Sequence, residues 1–194
     1  MIKKWKERIR RAADSEYALV FLCLTSFAES SFFIIPPDSL LTPMCLFDPK
    51  KWKKFAFFTT IFSVLGGVFG YGIGMFLFNE VAKPIINFYH LWDKFQYVEH
   101  LYRSYDFLVV FVAGLTPLPY KVFTIAAGVF KMNLLGFVFA SLFGRGIRFY
   151  IEAFLVAKFG EEALEFLEKH FVFATIVIAL VVVAGVLVYS LFLR

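Results

Sequence analysis

The sequence predicts an all-α integral membrane protein arranged as an inverted repeat. Each half is a re-entrant helical hairpin plus a transmembrane helix, preceded by an N-terminal interfacial helix and followed by a C-terminal transmembrane helix. Three observations lead there. Residues 55–78 and 171–193 are charge-free runs of 24 and 23 residues, beyond the roughly 18–20 needed to cross the hydrocarbon core. Two other apolar stretches are broken by proline, at Pro36-Pro37 and at Pro117 and Pro119, and backbone groups freed inside a bilayer must be satisfied by protein or water. Glu29, Asp38, Lys121, Arg145, Arg148 and Glu152 interrupt the same apolar sequence. A charge at that depth costs a few kcal/mol or more unless it faces a partner or a polar cavity.

Composition agrees with a single membrane domain over residues 1–194. Apolar residues make up 60% of the chain and mean hydropathy is +0.75, which leaves no room for a separate soluble domain. The net charge of +5 is concentrated in two juxtamembrane runs, Lys3 to Arg11 and Lys50 to Lys54. Next to membrane segments such runs follow the positive-inside rule and do not call for nucleic acid. Cys23 and Cys45 have no CxxC spacing and no neighbouring histidine, so they read as packing residues, with neither metal nor cofactor implied.

Taken in order, residues 1–16 form a basic interfacial helix with Trp5 at headgroup depth. The apolar run that follows resembles a signal-peptide core, but Asp14 and Glu16 directly precede it and argue against cleavage. Residues 17–49 contain Glu29, Pro36, Pro37, Asp38 and Pro43. The stretch is too broken for one straight helix and too short for two spans, so it reads as re-entrant hairpin 1. That fold puts both basic runs on one face, the cytoplasmic one. Residues 50–78 then cross, and Gly66, Gly70 and Gly74 form a side-chain-free face for close helix packing or for homo-oligomerisation. Residues 79–106 are polar and poor in positive charge, an external amphipathic segment on which His90 and His100 are surface residues. Residues 107–131, with Gly114, Pro117, Pro119, Lys121 and Gly128, form re-entrant hairpin 2, entering from outside. Residues 132–160 cross back with Arg145, Arg148 and Glu152, and 171–194 make the final span.

The two halves show a weak internal match. Ser63, Gly66, Gly70 and Tyr71 align with Ser141, Gly144, Arg148 and Phe149 at a shift of 78 residues. Inverted repeats with broken elements meeting at the midplane are a recurrent transporter construction.

Arg148 and Glu152, four apart, can pair along one helix face, with Arg145 on the same side. Arg145 has no local carboxylate, so its partner is distant: Glu29, Asp38 or an anionic ligand. Guanidinium suits phosphate through its planar fork of donors. Lys121, just after the double break, either snorkels to the interface or joins unwound backbone amides in holding an anion. Glu29, Asp38 and Glu152 are candidates for proton coupling or charge balance, and Asp38 is also a candidate cap for the second arm of its hairpin. No catalytic constellation is present: there is no HExxH, GxSxG or phosphate loop. A non-enzyme is expected.

Glu29, then Pro36-Pro37-Asp38-Ser39-Leu40-Leu41, the glycine-rich span, Leu115-Thr116-Pro117-Leu118-Pro119-Tyr120-Lys121, Ala126-Ala127-Gly128 and Gly144-Arg145-Gly146-Ile147-Arg148-Phe149 together resemble the DedA family, also called the VTT or SNARE-associated Golgi protein domain. The resemblance covers most of residues 17–160. It implies two opposed re-entrant hairpins and a role in lipid translocation. Bacterial members are associated with recycling of undecaprenyl phosphate and eukaryotic relatives with phospholipid scrambling, and proton coupling through membrane acids is proposed for the family. Asp38 matches the family's acid in its Pro-x-Asp-Ser pattern, and Glu29 the upstream acid with a shorter gap. Many bacterial members have two arginines flanking the second hairpin's proline. Here Gly114 and Tyr120 fall near those positions, so this chain is similar to a divergent branch carrying Thr-Pro-Leu-Pro-Tyr-Lys.

The expectation is therefore a multi-pass protein of the bacterial inner (plasma) membrane, N-terminus cytoplasmic, acting as a flippase or scramblase. Its partner would be an anionic lipid headgroup, a polyprenyl phosphate or phospholipid, neutralised by Lys121, Arg145 and Arg148. The alternatives are a proton-coupled small-ion antiporter and a non-transport membrane scaffold.

Overall fold

The computed structural model describes residues 16–32 and 35–160, and every regular element among them is helical. The expected interfacial helix, apart from Glu16, and the expected C-terminal span lie outside the described residues. Helix α1 (Glu16–Ser31) stops short of Pro36-Pro37, and α2 (Asp38–Phe47) starts directly after them. The two prolines donate nothing, yet their carbonyls open α2: Pro37 O accepts from the amides of Leu40 (3.0 Å) and Leu41 (2.9 Å). After a one-turn 3₁₀ segment, Pro49–Lys51, helix α3 (Trp52–Leu77) runs for 26 residues, about 39 Å at 1.5 Å per residue.

A five-residue π-helical turn, Phe78–Ala82, leads from α3 into the short α4 (Lys83–Phe88). Helix α5 (Trp92–Leu115) follows, bent at Tyr105, whose φ of −135° and ψ of 25° are not helical. The expected boundary between 106 and 107 falls beside this kink, where two helical segments join. Hydropathy changes there, but no proline or glycine occupies the bend to stop helical hydrogen bonding. Helix α5 does end where proline requires it: Thr116, before Pro117, is extended (φ −96°, ψ 164°). Helix α6 (Tyr120–Val129) begins after Pro119. Asn133 then caps α7 (Leu134–Phe159), its side chain accepting from the Gly136 amide at 3.0 Å.

Helices α3 and α7 pack together at the centre. Helices α1 and α6 lie on α3, α5 lies on α7, and α2 contacts α7 and α3. One apolar cluster joins Leu22 of α1, Leu41 and Cys45 of α2, Phe55 of α3 and Phe149 and Val156 of α7. The other joins Tyr71 of α3, Tyr102 and Val110 of α5, Ala127 of α6 and Phe137 of α7. The first half of α1 and the body of α2 share one cluster, so the chain turns back across the Pro36-Pro37 break. The pair α5–α6 likewise turns back into the other cluster: Tyr102, on the first half of α5, donates to Phe123 O near the middle of α6 (3.0 Å).

Close backbone approach holds these layers together. A Cβ on Gly66 would sit 2.1 Å from Phe27 O of α1, and one on Gly74 would sit 2.0 Å from Ile125 O of α6. The glycine face of α3 therefore seats α1 at one end and α6 at the other, which only a residue without a side chain permits. Serines reinforce the α1–α3 contact: Ser26 Oγ donates to Thr59 O (2.7 Å) and Ser31 Oγ to Gly66 O (2.9 Å).

The outward faces are apolar. Phe139, Phe143, Ile147, Ile151 and Phe154 form an exposed stripe along α7, opposite buried Ala140, Arg145, Phe149 and Glu152. Phe57, Leu65, Phe69 and Phe76 do the same on α3. Among the described residues two helices, Pro49–Glu80 including its flanking turns and Leu134–Phe159, are long and apolar enough to cross a membrane. Polar groups inside and large apolar side chains outside suit a hydrocarbon surround.

Candidate functional site

Near the middle of α7, Arg145 is 1% exposed, the largest of the almost fully buried side chains. Its Nη2 donates to Glu29 Oε2 on α1 (2.7 Å) and lies 3.4 Å from Ser30 Oγ, while its Nε donates to Ser63 Oγ on α3 (2.6 Å). Ser30 and Ser63 are themselves hydrogen-bonded at 2.8 Å. The guanidinium carbon lies 4.8 Å from the centre of the Tyr120 ring and 4.6 Å from that of Phe149, both within cation–π range. A buried ion pair offsets its desolvation only when geometry is good and the remaining donors are satisfied. Arg145 Nε and Nη2 meet that requirement through Ser63, Glu29 and Ser30.

The site stands where the two breaks converge. Glu29 and Ser30 are in the last turn of α1, and Tyr120 is the first residue of α6. Tyr120 hydroxyl bonds Ser141 Oγ of α7, and Thr124 Oγ1 lies 3.3 Å from Ser30 O, tying α6 to α1. At Gly114, before the second break, a Cβ would lie 3.2 Å from the Arg145 backbone nitrogen. The absence of a side chain there brings the end of α5 against the Arg145 turn.

Arg148, one turn further along α7, reaches Asp38 on α2, Nη2 to Oδ2 at 2.5 Å. Asp38 lies inside the first turn of α2 and makes no capping hydrogen bond; its carboxylate is turned to Arg148 instead. Arg148 Nη2 thus bonds across the helix interface to Asp38, while Glu152, one turn along α7, lies within its electrostatic reach. Glu152 is 7% exposed and faces Asp38 within hydrogen-bonding range, with Cys45 nearby. Asp38 Oδ1, Glu152 Oε2 and Arg148 Nε are buried without a hydrogen-bond partner.

Of the predicted site residues, the structure gathers Glu29, Asp38, Arg145, Arg148 and Glu152 along the α1–α7 and α2–α7 contacts. Lys121 sits partly buried in the first turn of α6, next to Tyr120, and its carbonyl accepts from Thr124 Oγ1 at 2.9 Å. His90 and His100 are exposed. Sequence reasoning did not assign site roles to Ser30, Ser63, Tyr120, Ser141 or Phe149. A signal existed for some: Ser26 and Ser30, and Thr59 and Ser63, recur at four-residue spacing in apolar helices, which marks one polar stripe on each. Among the described residues no group of His, Cys, Asp and Glu is arranged to hold a metal ion.

An all-helical body with lipid-compatible outer faces and an ion-paired interior defines a helical membrane protein. More specifically, the VTT domain matches residues 35–158, and the chain belongs to the VTT-domain (DedA) family. It is 41% identical over 155 residues to an uncharacterized protein of Haemophilus influenzae, covering 79% of each chain. It is 36% identical over 179 residues to an uncharacterized protein of Histophilus somni, covering 87% of this chain and 92% of the relative. No solved structure matches significantly.

Proposed function

We propose that the protein moves a phosphate-bearing lipid headgroup, a polyprenyl phosphate or a phospholipid, between the leaflets of the bacterial plasma membrane. In this reading the α1–α2 and α5–α6 pairs are re-entrant hairpins of an inverted repeat, α3 and α7 are full spans, and the N-terminus is cytoplasmic. The observation that carries the proposal is Arg145: a buried cation at the meeting point of both breaks, held by the carboxylate of Glu29. A carboxylate and a phosphate present similar oxygen acceptors to a guanidinium. Glu29 thus stands where a headgroup phosphate would bind, and Asp38 stands in the same way before Arg148. Exchange of carboxylate for phosphate keeps each guanidinium paired throughout, so no bare charge is exposed to hydrocarbon. Lys121 extends the cationic path on the α6 side. The outward apolar faces let acyl or prenyl chains stay in the bilayer while the headgroup passes. Protons on the embedded acids release the arginines for substrate.

The test is reconstitution of the full chain in liposomes with headgroup-labelled lipids, following label exposure at the outer leaflet. Lys121→Ala and Arg148→Gln should slow transfer at unchanged protein incorporation. Wild-type transfer equal to that of empty liposomes, for both polyprenyl phosphate and phospholipid, refutes the proposal.

A further inference from the structure

We propose that Asp38 and Glu152 bind one proton between them, and that this carboxyl pair, not Glu29, is the protonation site of the embedded acid cluster. An ionised carboxylate only accepts hydrogen bonds. Asp38 Oδ1 and Glu152 Oε2 are both buried and lack a donor, and the two side chains lie within hydrogen-bonding range of one another. A proton on one of the two, donated to the other, satisfies both at once; the nearby Arg148 Nε, also buried without a partner, is a single donor and can serve only one of them. Glu29 differs. Its Oε2 receives Arg145 Nη2 at 2.7 Å and Ser30 Oγ at 3.3 Å, which suits a carboxylate without a proton.

Charge balance within the cluster points the same way. Glu29 neutralises Arg145, and Asp38 neutralises Arg148. Glu152 then adds a further negative charge at 7% exposure, and one proton brings the five groups to neutrality. The groups facing Glu152 are Asp38 and Cys45 from α2, and Arg145 and Arg148 from α7 itself, so two cations stand among three carboxylates. Trp52, Phe55 and Ala56 of α3 meet the same cluster with apolar surface. The turn Pro49–Lys51 also touches α7, and its Lys51 pairs with Asp48 at 2.7 Å.

The consequence deepens the transport reading and rests on it. With the proton in place, Arg148 has one ionised competitor, Asp38. When the proton leaves Glu152 for water, two carboxylates face Arg148 and hold it more firmly against an incoming phosphate. The pair would therefore gate the availability of Arg148 by proton occupancy.

The direct test does not depend on transport. Infrared spectra of the purified full chain in detergent, with ¹³C-labelled glutamate or aspartate, report the carbonyl stretch of a protonated carboxylic acid. At neutral pH the wild type should show this band. It should be lost in Glu152→Gln, whose amide can still donate to Asp38, and in Asp38→Asn, where Glu152 becomes the carboxylate partner of Arg148. It should persist in Glu29→Gln. Circular dichroism and a monodisperse elution profile identify which variants are folded, and either Glu152→Gln or Asp38→Asn suffices. Absence of the band in folded wild type, its survival in a folded Glu152→Gln, or its loss in Glu29→Gln alone overturns the assignment. Replacement of potassium by sodium should leave the band unchanged; its disappearance in sodium would mean that the pair binds a metal cation instead. Absence of lipid transfer with the band intact would refute the transport reading and leave the proton site standing.

Discussion

Removal of the Arg145 charge offers the sharpest test of how the interior is built. Arg145→Met keeps much of the side-chain volume but leaves Glu29, 14% exposed, without its guanidinium. It also strips Ser63 Oγ of a 2.6 Å donor and both flanking rings of their cation. Breaking a buried pair by removal of one partner costs about 3–5 kcal/mol. The reverse change, Glu29→Gln, leaves Arg145, 1% exposed, with both serines and a neutral amide but no counter-charge, and should likewise cost about 3–5 kcal/mol. The double variant has no uncompensated charge. It should lose about 2–3 kcal/mol less than the sum of the single losses, the upper range of coupling for residues in contact. The assay is unfolding in mixed micelles by a denaturing detergent, followed by tryptophan fluorescence. Additivity within about 0.5 kcal/mol, or an Arg145→Met cost below about 1 kcal/mol, would refute the claim that Glu29 and Arg145 form an energetically coupled buried pair.

Other predictions address packing and insertion. Gly74→Ala and Gly128→Ala place a Cβ 2.0 Å and 1.9 Å from a carbonyl oxygen, so each should destabilise by about 1–3 kcal/mol or more. Gly72→Ala meets nothing within 4 Å and should be neutral or stabilising by up to about 1 kcal/mol; thermal midpoints in detergent separate the two classes. Tyr120→Phe keeps the ring below Arg145 and removes only the hydroxyl bonded to Ser141, a loss of about 1 kcal/mol. Tyr120→Leu should lose about 0.5–2 kcal/mol more through the missing cation–π contact, measured by the same unfolding assay. Phe143→Asp, in the outward stripe of α7, adds about 2.5–3.5 kcal/mol to insertion and should lower the fraction of protein recovered in membranes. Ala140→Asp, on the buried face, should instead yield inserted but unstable protein.

The departure of this chain from the two-arginine pattern has a local explanation. Where many family members place an arginine near position 114, the backbone here presses against Arg145, with only 3.2 Å between an added Cβ and its nitrogen. Near position 120 an aromatic ring lies below the same guanidinium. Any side chain at 114 would require α7 to give way by a few tenths of an ångström at its Cβ, and Arg145 already occupies the meeting point of the breaks.

Local features were legible from the sequence alone. Charge-free runs, the proline pairs and the glycine face act through backbone hydrogen bonding and side-chain volume within a few residues, and the helices start and stop accordingly. At Tyr105 the change in composition coincides with a non-helical residue joining two helical segments, with no proline or glycine to announce the bend. Partner choice was not legible. Sequence left Glu29, Asp38 and a ligand open for Arg145 and offered Glu152 to Arg148 by spacing. Only the tertiary structure decided that Glu29, 116 positions away, pairs with Arg145, and that Asp38, 110 positions away, takes Arg148. The physical reason is that Gly66 sets the depth and rotation of α1 against α3, which turns Glu29 toward α7, while apolar packing of Leu41 and Cys45 against Phe149 and Val156 seats α2 with Asp38 facing α7.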